Sequence, residues 1–471
     1  MTAEGTHAAE CDRATRRVWA VLGGPPALPD RVRYGPPGGL PAAVPVTALA
    51  RTATAVCSLA AAELLATRGR LRTVPAVRVD DDAVAAAFTS ERHLLVDGRP
   101  GTTFAPLSRF WPAADGWLRT HANYPHHRAR LLAALGVTGH GDSDSDALVS
   151  EVAAELAARP GEDTQEAVRA AGGLAVAVRT AAEWAASAPG RSAAARPLIE
   201  HRTVADGPVR ALPPAGLPAE GVRVLDLTRV IAGPVATRTL GLLGAQVLRI
   251  DSPRLPELWD AQADTGFGKR SAALDLADRA GRRTFEELLS GADVVVTGYR
   301  PGSLDRYGLS ARALLDRHPG LIVAQLSAWG FDGPWADRRG FDSLVQAASG
   351  IALLQADADG RPGALPGQYL DHATGYLLAA AVLRALTERH LSGGGRQLRA
   401  ALASTACLLL DGLPPGTTPP PGRIPDVGRR LAAADSPMGR LRYVLPPVDY
   451  DGAPATWSRT PSRPATDPPR W

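Results

Sequence analysis

The carboxylate of Asp371 stands at the mouth of the most apolar helical stretch in the chain, within Gly367-Gln-Tyr-Leu-Asp-His-Ala-Thr-Gly375 and behind the loop Gly360-Arg-Pro-Gly-Ala-Leu-Pro-Gly367. From position alone, its plainer role is to cap the helix expected over 373–388. The flanking glycines open a second role, because they let a ligand approach the backbone closely. Three further clusters offer cations and an aromatic face: Arg229-Val-Ile-Ala-Gly-Pro234, Phe267-Gly-Lys-Arg270, and Gly298-Tyr-Arg-Pro-Gly302 with Arg306 close behind. Taken singly, each basic residue reads as a solvated surface charge. Together they suit phosphates and an adenine ring.

The elements that must position these groups alternate regularly in the second half of the chain. Strands are predicted over 222–227, 246–251, 293–297 and 321–326, with helices over 232–243, 280–289 and 311–317 between them. Near-continuous apolar strands separated by helices predict an α/β fold, a doubly wound, mostly parallel, Rossmann-like sheet. All three cationic clusters then follow carboxyl ends of strands, where open α/β sheets bind ligands. The turn Thr228-Arg-Val-Ile-Ala-Gly-Pro234 lacks the Gly-x-Gly-x-x-Gly that lets a pyrophosphate reach the backbone, which weakens a nicotinamide or flavin reading.

The front half, residues 1–190, reads as an additional α/β region: a buried helix over 46–68, a strand and helix within 77–95, and a strand, turn and helix in the block from Asp115 to Gly136 with Pro125 at the first helical position. His121, His126 and His127 lack the Cys, Asp or Glu that would complete a metal site, so no metal is expected. Asp142-Ser-Asp-Ser-Asp146 opens like a calcium loop, yet Ala147 and Ala153 replace the required Gly and Glu, leaving helix capping as its role. Residues 191–220, rich in Pro, Gly, Ala and Arg, read as a linker to the half spanning 221–471.

The 471 residues carry 52 Lys and Arg against 48 Asp and Glu, a balance that favours a phosphorylated small ligand over nucleic acid. Cys11, Cys57 and Cys407 are scattered and odd in number, which points to a reducing compartment. With no leader-like start and no long uncharged apolar run, a cytoplasmic protein with no membrane association is expected.

Across the second half, the motifs resemble those of the class III CoA-transferases, the family of formyl-CoA and carnitine CoA-transferases and α-methylacyl-CoA racemases. The resemblance is carried by Val224-Leu-Asp-Leu-Thr-Arg-Val-Ile-Ala-Gly-Pro234, Leu243-Gly-Ala-Gln-Val-Leu-Arg-Ile-Asp251, Gly268-Lys-Arg-Ser271, Ala292-Asp-Val-Val-Val-Thr-Gly-Tyr-Arg-Pro-Gly302, Ser327-Ala-Trp-Gly330, Gly340-Phe-Asp342 and the Asp371 segment. It implies that Asp371 is the catalytic aspartate. It implies CoA contacts from Arg229, Val230, Ala232, Lys269, Tyr299, Arg300 and Arg306. By the same resemblance the substrates are an acyl-CoA and a carboxylic acid, CoA enters as a substrate thioester, and the chain forms a dimer.

Departures sharpen the expectation. Racemases of the family resemble Gly-His-Asp where this chain has Phe341, which moves no proton, so transfer is favoured over epimerisation. Gly393-Gly-Gly395 is read as a turn and no glycine-rich lid is matched. Leu49-Ala-Arg-Thr-Ala-Thr-Ala55 runs like Tyr369-Leu-Asp-His-Ala-Thr-Gly375, so the front half resembles a degenerate unit in which Arg51 stands where Asp371 stands. The chemistry expected is attack by an Asp371 carboxylate, ionised from its reference pKa of about 3.9. Alternatives are racemisation or thioester hydrolysis on the same scaffold, or a non-catalytic CoA-binding subunit.

Overall fold

The computed structural model describes residues 13–36, 38–102, 104–138, 144–413 and 425–471; Cys11 and Asp142 lie outside them. In the front half, α1 (Val46–Gly69) is filled with Ala, Leu and Val and is almost wholly buried. β1 (Gly116–Thr120) is the central strand of a three-stranded antiparallel sheet, and Pro125 opens the helix that follows it. Ser145 caps the helix Asp146–Ala157, its side chain accepting from the Leu148 N–H, as the capping role requires.

The chain then continues through β2 (Ile199–Ala205), β3 (Arg223–Leu227), α2 (Ala232–Leu242), β4 (Gln246–Asp251), β5 (Lys269–Ala273), β6 (Val294–Thr297), β7 (Ile322–Ser327), α3 (Asp342–Ala348), α4 (Tyr369–Ser392) and β8 (Gly395–Ala401). Seven strands form one sheet in the order β5-β4-β3-β6-β7-β8-β2, parallel throughout except for β2 at the edge. The order reverses between β3 and β6, and at such a point the loops leaving the two strands diverge and open a crevice. Strand residues alternate between two cores. Leu225, Leu248, Ile250, Val295 and Val323 meet Phe285, Leu288 and Leu314 on one face. On the other, Val224, Val247, Val294 and Ile322 share a cluster with residues of α1, α2 and α4.

Residues 191–220, expected as a linker, instead carry β2 and lie under tight restraint. Arg68, buried at the end of α1, donates to the carbonyls of Pro213, Pro218 and Glu220 at 2.8, 2.9 and 3.0 Å. Proline- and glycine-rich composition signals irregular backbone, but its carbonyls still need donors once covered, and here a guanidinium supplies them. The glycines at 393–395 do turn, with φ of 74° at Gly393 and 79° at Gly394, but Gly395 already opens β8. Among the described residues, the front half holds no counterpart of the seven-stranded sheet.

α1 and α4 pack along their lengths and are each 24 residues long. Glu63 and Arg384 pair across them at 2.6 Å, both nearly enclosed. By length and composition α1 could cross a membrane, but 89% of its most apolar window is buried inside this fold. α4 also meets α2 closely. A Cβ on Gly375 would lie 2.6 Å from the Ala232 carbonyl oxygen and 2.9 Å from the Val235 Cβ, so the two backbones touch where only glycine fits. Gly375→Ala therefore forces the helices apart, and the urea-unfolding midpoint should fall by an amount equivalent to ~1–3 kcal/mol.

Candidate active site

Asp371 is the third residue of α4, and the residue before the helix, Gln368, makes no side-chain capping bond, so Asp371 lies inside the first turn and does not cap it. The helix begins earlier than its apolar pattern suggests because Tyr369 and Leu370 are buried core residues. Asp371 is 7% exposed, and no described residue donates a hydrogen bond to its carboxylate. Its backbone N–H donates to Asp342 Oδ2 at 2.9 Å, and the other oxygen of Asp342 takes the amide of Gln346, whose carbonyl in turn accepts from the Leu365 N–H at 2.9 Å. This chain of bonds ties the loop before α4 to α3.

Burial, reinforced by the charges of Asp342 and Glu91, holds Asp371 well above the ordinary value of 3.8. Burial likewise pushes Asp342 up to about 6, against the hydrogen bonds it accepts. Ionisation on the reference value is thus corrected: two adjacent carboxyl groups in a dry site retain a proton that an exposed aspartate loses. Glu91, from the front half, accepts a hydrogen bond from His372 Nε2 at 3.1 Å. Burial alone would raise Glu91, but the bond and charge of His372 outweigh it and keep it below its usual range.

Asp371 and Gly375 are four apart and share a helix face. At Gly375 that face meets Ala232 and Val235 at the start of α2, which the Arg229–Ile231 loop precedes. Val230 in this loop has φ of 70°, a left-handed conformation that a β-branched side chain resists. Glu257 holds it there. Its carboxylate accepts from the Val230 N–H at 3.1 Å, from Arg249 at 3.1 Å and from the Tyr124 hydroxyl at 2.7 Å. Arg229 donates to the carbonyls of Leu255 and Pro256 and lies 5.1 Å from the centre of the Tyr124 ring. Ala232 begins α2 and is buried.

Lys269 is a correction. Expected beside CoA, it is 1% exposed, and its Nζ donates to Asp226 Oδ2 at 3.0 Å and to the Pro234 carbonyl at 2.9 Å. In register it is level with Val247, at the amino-terminal end of its strand and away from the loops that gather the other cations. Burial brings its pKa down to about 8, Asp226 opposing the shift. The sequence did hold a signal for this: Lys269 is the only lysine in the chain. A guanidinium does not fit where a compact ammonium spans one carboxylate and one carbonyl.

Tyr299 is half-buried against the sheet, while Arg300 and Arg306 are exposed. Arg306 lies 4.7 Å from the centre of the Tyr307 ring, and Arg300 donates to the Asp337 carbonyl at 3.1 Å. Arg300 lines a cleft with Arg169, Trp329, Trp335, Arg338 and Arg339, so the two halves build it together. Arg338 pairs with Glu166 at 2.8 Å, whereas Arg339 has no ion-pair partner among the described residues. Burial and the like charges of Arg300 and Arg130 lower the pKa of Arg339. Sequence reading missed Arg338, Arg339 and Glu257; Arg338 and Arg339 directly precede Gly340-Phe-Asp342, a segment already singled out. Among the described residues no group of His, Cys, Asp and Glu is arranged to hold a metal ion.

Residues 219–438 match the family model described as CoA-transferase family III. Among curated relatives, a probable fatty acyl-CoA transferase of Mycobacterium tuberculosis is 34% identical over 40% of this chain and 51% of its own. An acyl-CoA transferase of Gibberella moniliformis is 30% identical over 63% and 54%. A succinyl-CoA:glutarate CoA-transferase of Homo sapiens is 32% identical over 41% and 47%. The chain thus spans about half the length of the relatives it matches.

Lys269→Met leaves the Asp226 carboxylate buried without its counter-ion and should cost ~3–5 kcal/mol in denaturant unfolding. Asp371→Asn should act oppositely. Because folding raises the Asp371 pKa, the protonated form is favoured in the native state, and stability is lost as pH rises above the unfolded value. The asparagine variant should therefore be more stable than wild type at pH 7, a gain that vanishes toward pH 4 in thermal melts.

Proposed function

With residues 219–438 belonging to CoA-transferase family III, we propose that the protein moves CoA from an acyl-CoA thioester to a carboxylic acid through a covalent intermediate on Asp371. The observation that carries the reading is the placement of Asp371: a desolvated carboxylate with no hydrogen-bond donor among the described residues, one turn before the point where α4 meets the start of α2.

Asp371 in its ionised form attacks the thioester carbonyl, the carbon–sulfur bond breaks, and CoA leaves as a thiolate, giving a mixed anhydride. The thiolate attacks the aspartyl carbonyl of that anhydride. The donor acid departs as a carboxylate and an aspartyl-CoA thioester remains. The acceptor carboxylate attacks this thioester, releases the thiolate and forms a second anhydride. Thiolate attack on the acceptor's acyl carbon then yields the new acyl-CoA and restores Asp371. No redox step or net proton change is required. The neighbouring Asp342 and Glu91 charges, which raise the proton affinity of Asp371, also make its ionised form more reactive toward an electrophilic carbon.

The cleft lined by Arg300, Arg338, Arg339 and Trp335 supports binding of the phosphates and adenine of CoA, with Tyr299 and Arg306 on the same loop. Arg229, Val230 and Ala232 form the loop nearest the thioester. Lys269 keeps Asp226 and the start of α2 in place without touching the ligand. The parallel strand order supports a doubly wound, Rossmann-like unit over 221–471 to which residues 1–190 add side chains such as Glu91 and Tyr124. Action in the cytoplasm as a homodimer is part of the same proposal.

Epimerisation is the second reading, favoured by one observation: the His121 ring lies on Phe341, 3.8 Å between centres. Its test is deuterium incorporation at the α-carbon of a 2-methylacyl-CoA, which transfer alone does not cause.

Incubation with acyl-CoA donors should add the mass of CoA to the intact protein, mapped to Asp371, and Asp371→Ala should abolish both adduct and turnover. Retained transfer in that variant sinks the assignment. Since the Asp371 pKa is raised, the acid limb of kcat/KM should lie above the usual carboxylate range of about 4, and Asp342→Asn, by removing a like charge, should move it down.

A further inference from the structure

The front-half helix Gly161–Ala170 carries Glu166 and Arg169, three residues apart and so on one face. Glu166 reaches across to the second half. Its carboxylate accepts from Arg338 at 2.8 Å, from Arg169 Nε at 2.7 Å and from the Gln165 amide at 2.9 Å. Arg338 is steadied by Trp335, whose ring centre lies 4.5 Å from its guanidinium carbon. Burial works to raise the pKa of Glu166, but these bonds and the Arg338 charge outweigh it and bring it down to about 2. The group is therefore a fixed negative charge that bridges two arginines.

Both arginines line the cleft that also holds Arg300 and Arg339, and the only carboxylate among its lining residues is that of Asp337. Glu166 offsets part of this positive charge, and Arg339 has no ion-pair partner among the described residues. The space within the cleft is about 100 Å³, well below the ~300–1,000 Å³ of pockets that enclose a whole drug-sized ligand. A single phosphate group is on that scale. Glu166 marks the place for it, because oxygens set against the N–H groups of two arginines are also what a bound phosphate presents. Displacing a carboxylate that two arginines share takes a compact group of more than one charge. A phosphate monoester carries about −1.5 to −2 near neutral pH and has three free oxygens. The linkages of a pyrophosphate chain carry less charge on each phosphorus. CoA offers both kinds of group, and its one monoester is the phosphate on the ribose 3′-oxygen.

Resting on the reading of this cleft as the site for the phosphates of CoA, we propose that Arg169 and Arg338 bind the 3′-phosphate of CoA and that the Glu166 carboxylate holds its place until CoA arrives. The front half thereby contributes a binding residue for the substrate of the second half. Arg169 then discriminates CoA from thioesters whose pantetheine arm ends without a 3′-phosphate.

The test is calorimetric titration of CoA and of dephospho-CoA into the full chain, for wild type, Glu166→Gln and Arg169→Met. Wild type should bind CoA about 10-fold more tightly than dephospho-CoA, the scale of one charge-assisted hydrogen bond. Glu166→Gln keeps the shape of the side chain and removes the competing charge. It should tighten CoA binding by about 5-fold and leave dephospho-CoA within about 2-fold of wild type. Arg169→Met should bring the two ligands to within about 2-fold of each other. Equal binding of both ligands by wild type, CoA affinity in Glu166→Gln no higher than in wild type, or an undiminished preference in Arg169→Met overturns the assignment. CoA bound with no such preference removes this assignment and leaves the reading of the cleft as a CoA site standing. Binding of neither ligand overturns both. Should no acyl-CoA be turned over, the transfer reading fails, and the titrations still decide the 3′-phosphate site. The Arg169 side chain is 48% exposed, which favours a folded variant. Should Arg169→Met not fold, wild type and Glu166→Gln decide the assignment.

Discussion

The packing of α1 on α4 is the constraint from which the rest follows. Both helices present small and aliphatic side chains, so they approach closely along their whole lengths and exclude water from the Glu63–Arg384 pair between them. Close approach also needs Gly375 on the opposite side of α4, where α2 leaves no room for a Cβ. Once α1 is fixed, the short helix Ser90–His93 that follows it places Glu91 on His372, one residue from Asp371. The front half is thereby part of the site's wall, and β1 and Tyr124 reach the same region from the other side.

Burial on this scale makes every enclosed charge a question of partners, because desolvation of an ion is larger than any one favourable contact in the interior. Most are answered locally. Asp226 has Lys269, Glu257 has Arg249, and Arg51 has Asp81, whose carboxylate also accepts from the Gly38 N–H. These groups fix loops and strand ends. Glu257 in particular holds Val230 in a left-handed conformation that the residue would leave if unrestrained. Against that background the Asp371 carboxylate and the Arg119 guanidinium, of opposite sign, have no ion-pair partner among the described residues. A proton satisfies the first for as long as no electrophile is present. No proton satisfies the second.

Much of the sheet was legible because its signal is local. Strands and helices expected over 222–327 agree with those observed to within about a residue, since apolar strands buried on both faces and amphipathic helices each carry their period in the chain. Gly395–Ala401 was harder. Arg396, Gln397 and Arg399 interrupt its apolar residues at the side of the sheet where β2 joins, and Gly393-Gly-Gly395, whose last glycine opens the strand, reads first as a turn. β2 itself, amid prolines and arginines, pairs only through a partner nearly 200 residues away, which no local pattern announces. Asp371 was found by its type and setting, but its place inside the first turn came from the burial of Tyr369 and Leu370 against other elements.

By itself the sequence determined the alternating strands and helices of the second half, the cation-bearing loops at their ends, and one carboxylate ahead of an apolar helix. Those follow from periodicity and residue chemistry within short windows. Only the tertiary structure decided that Lys269 is enclosed and Arg300 is not, that Asp371 shares its surroundings with Asp342 and Glu91, and that Arg119 has no counter-ion among the described residues. The physical reason is the same in each case: burial and the sum of nearby charges are set by segments far apart in the chain, and these quantities turn a charged side chain into a strut, a nucleophile or a binding group.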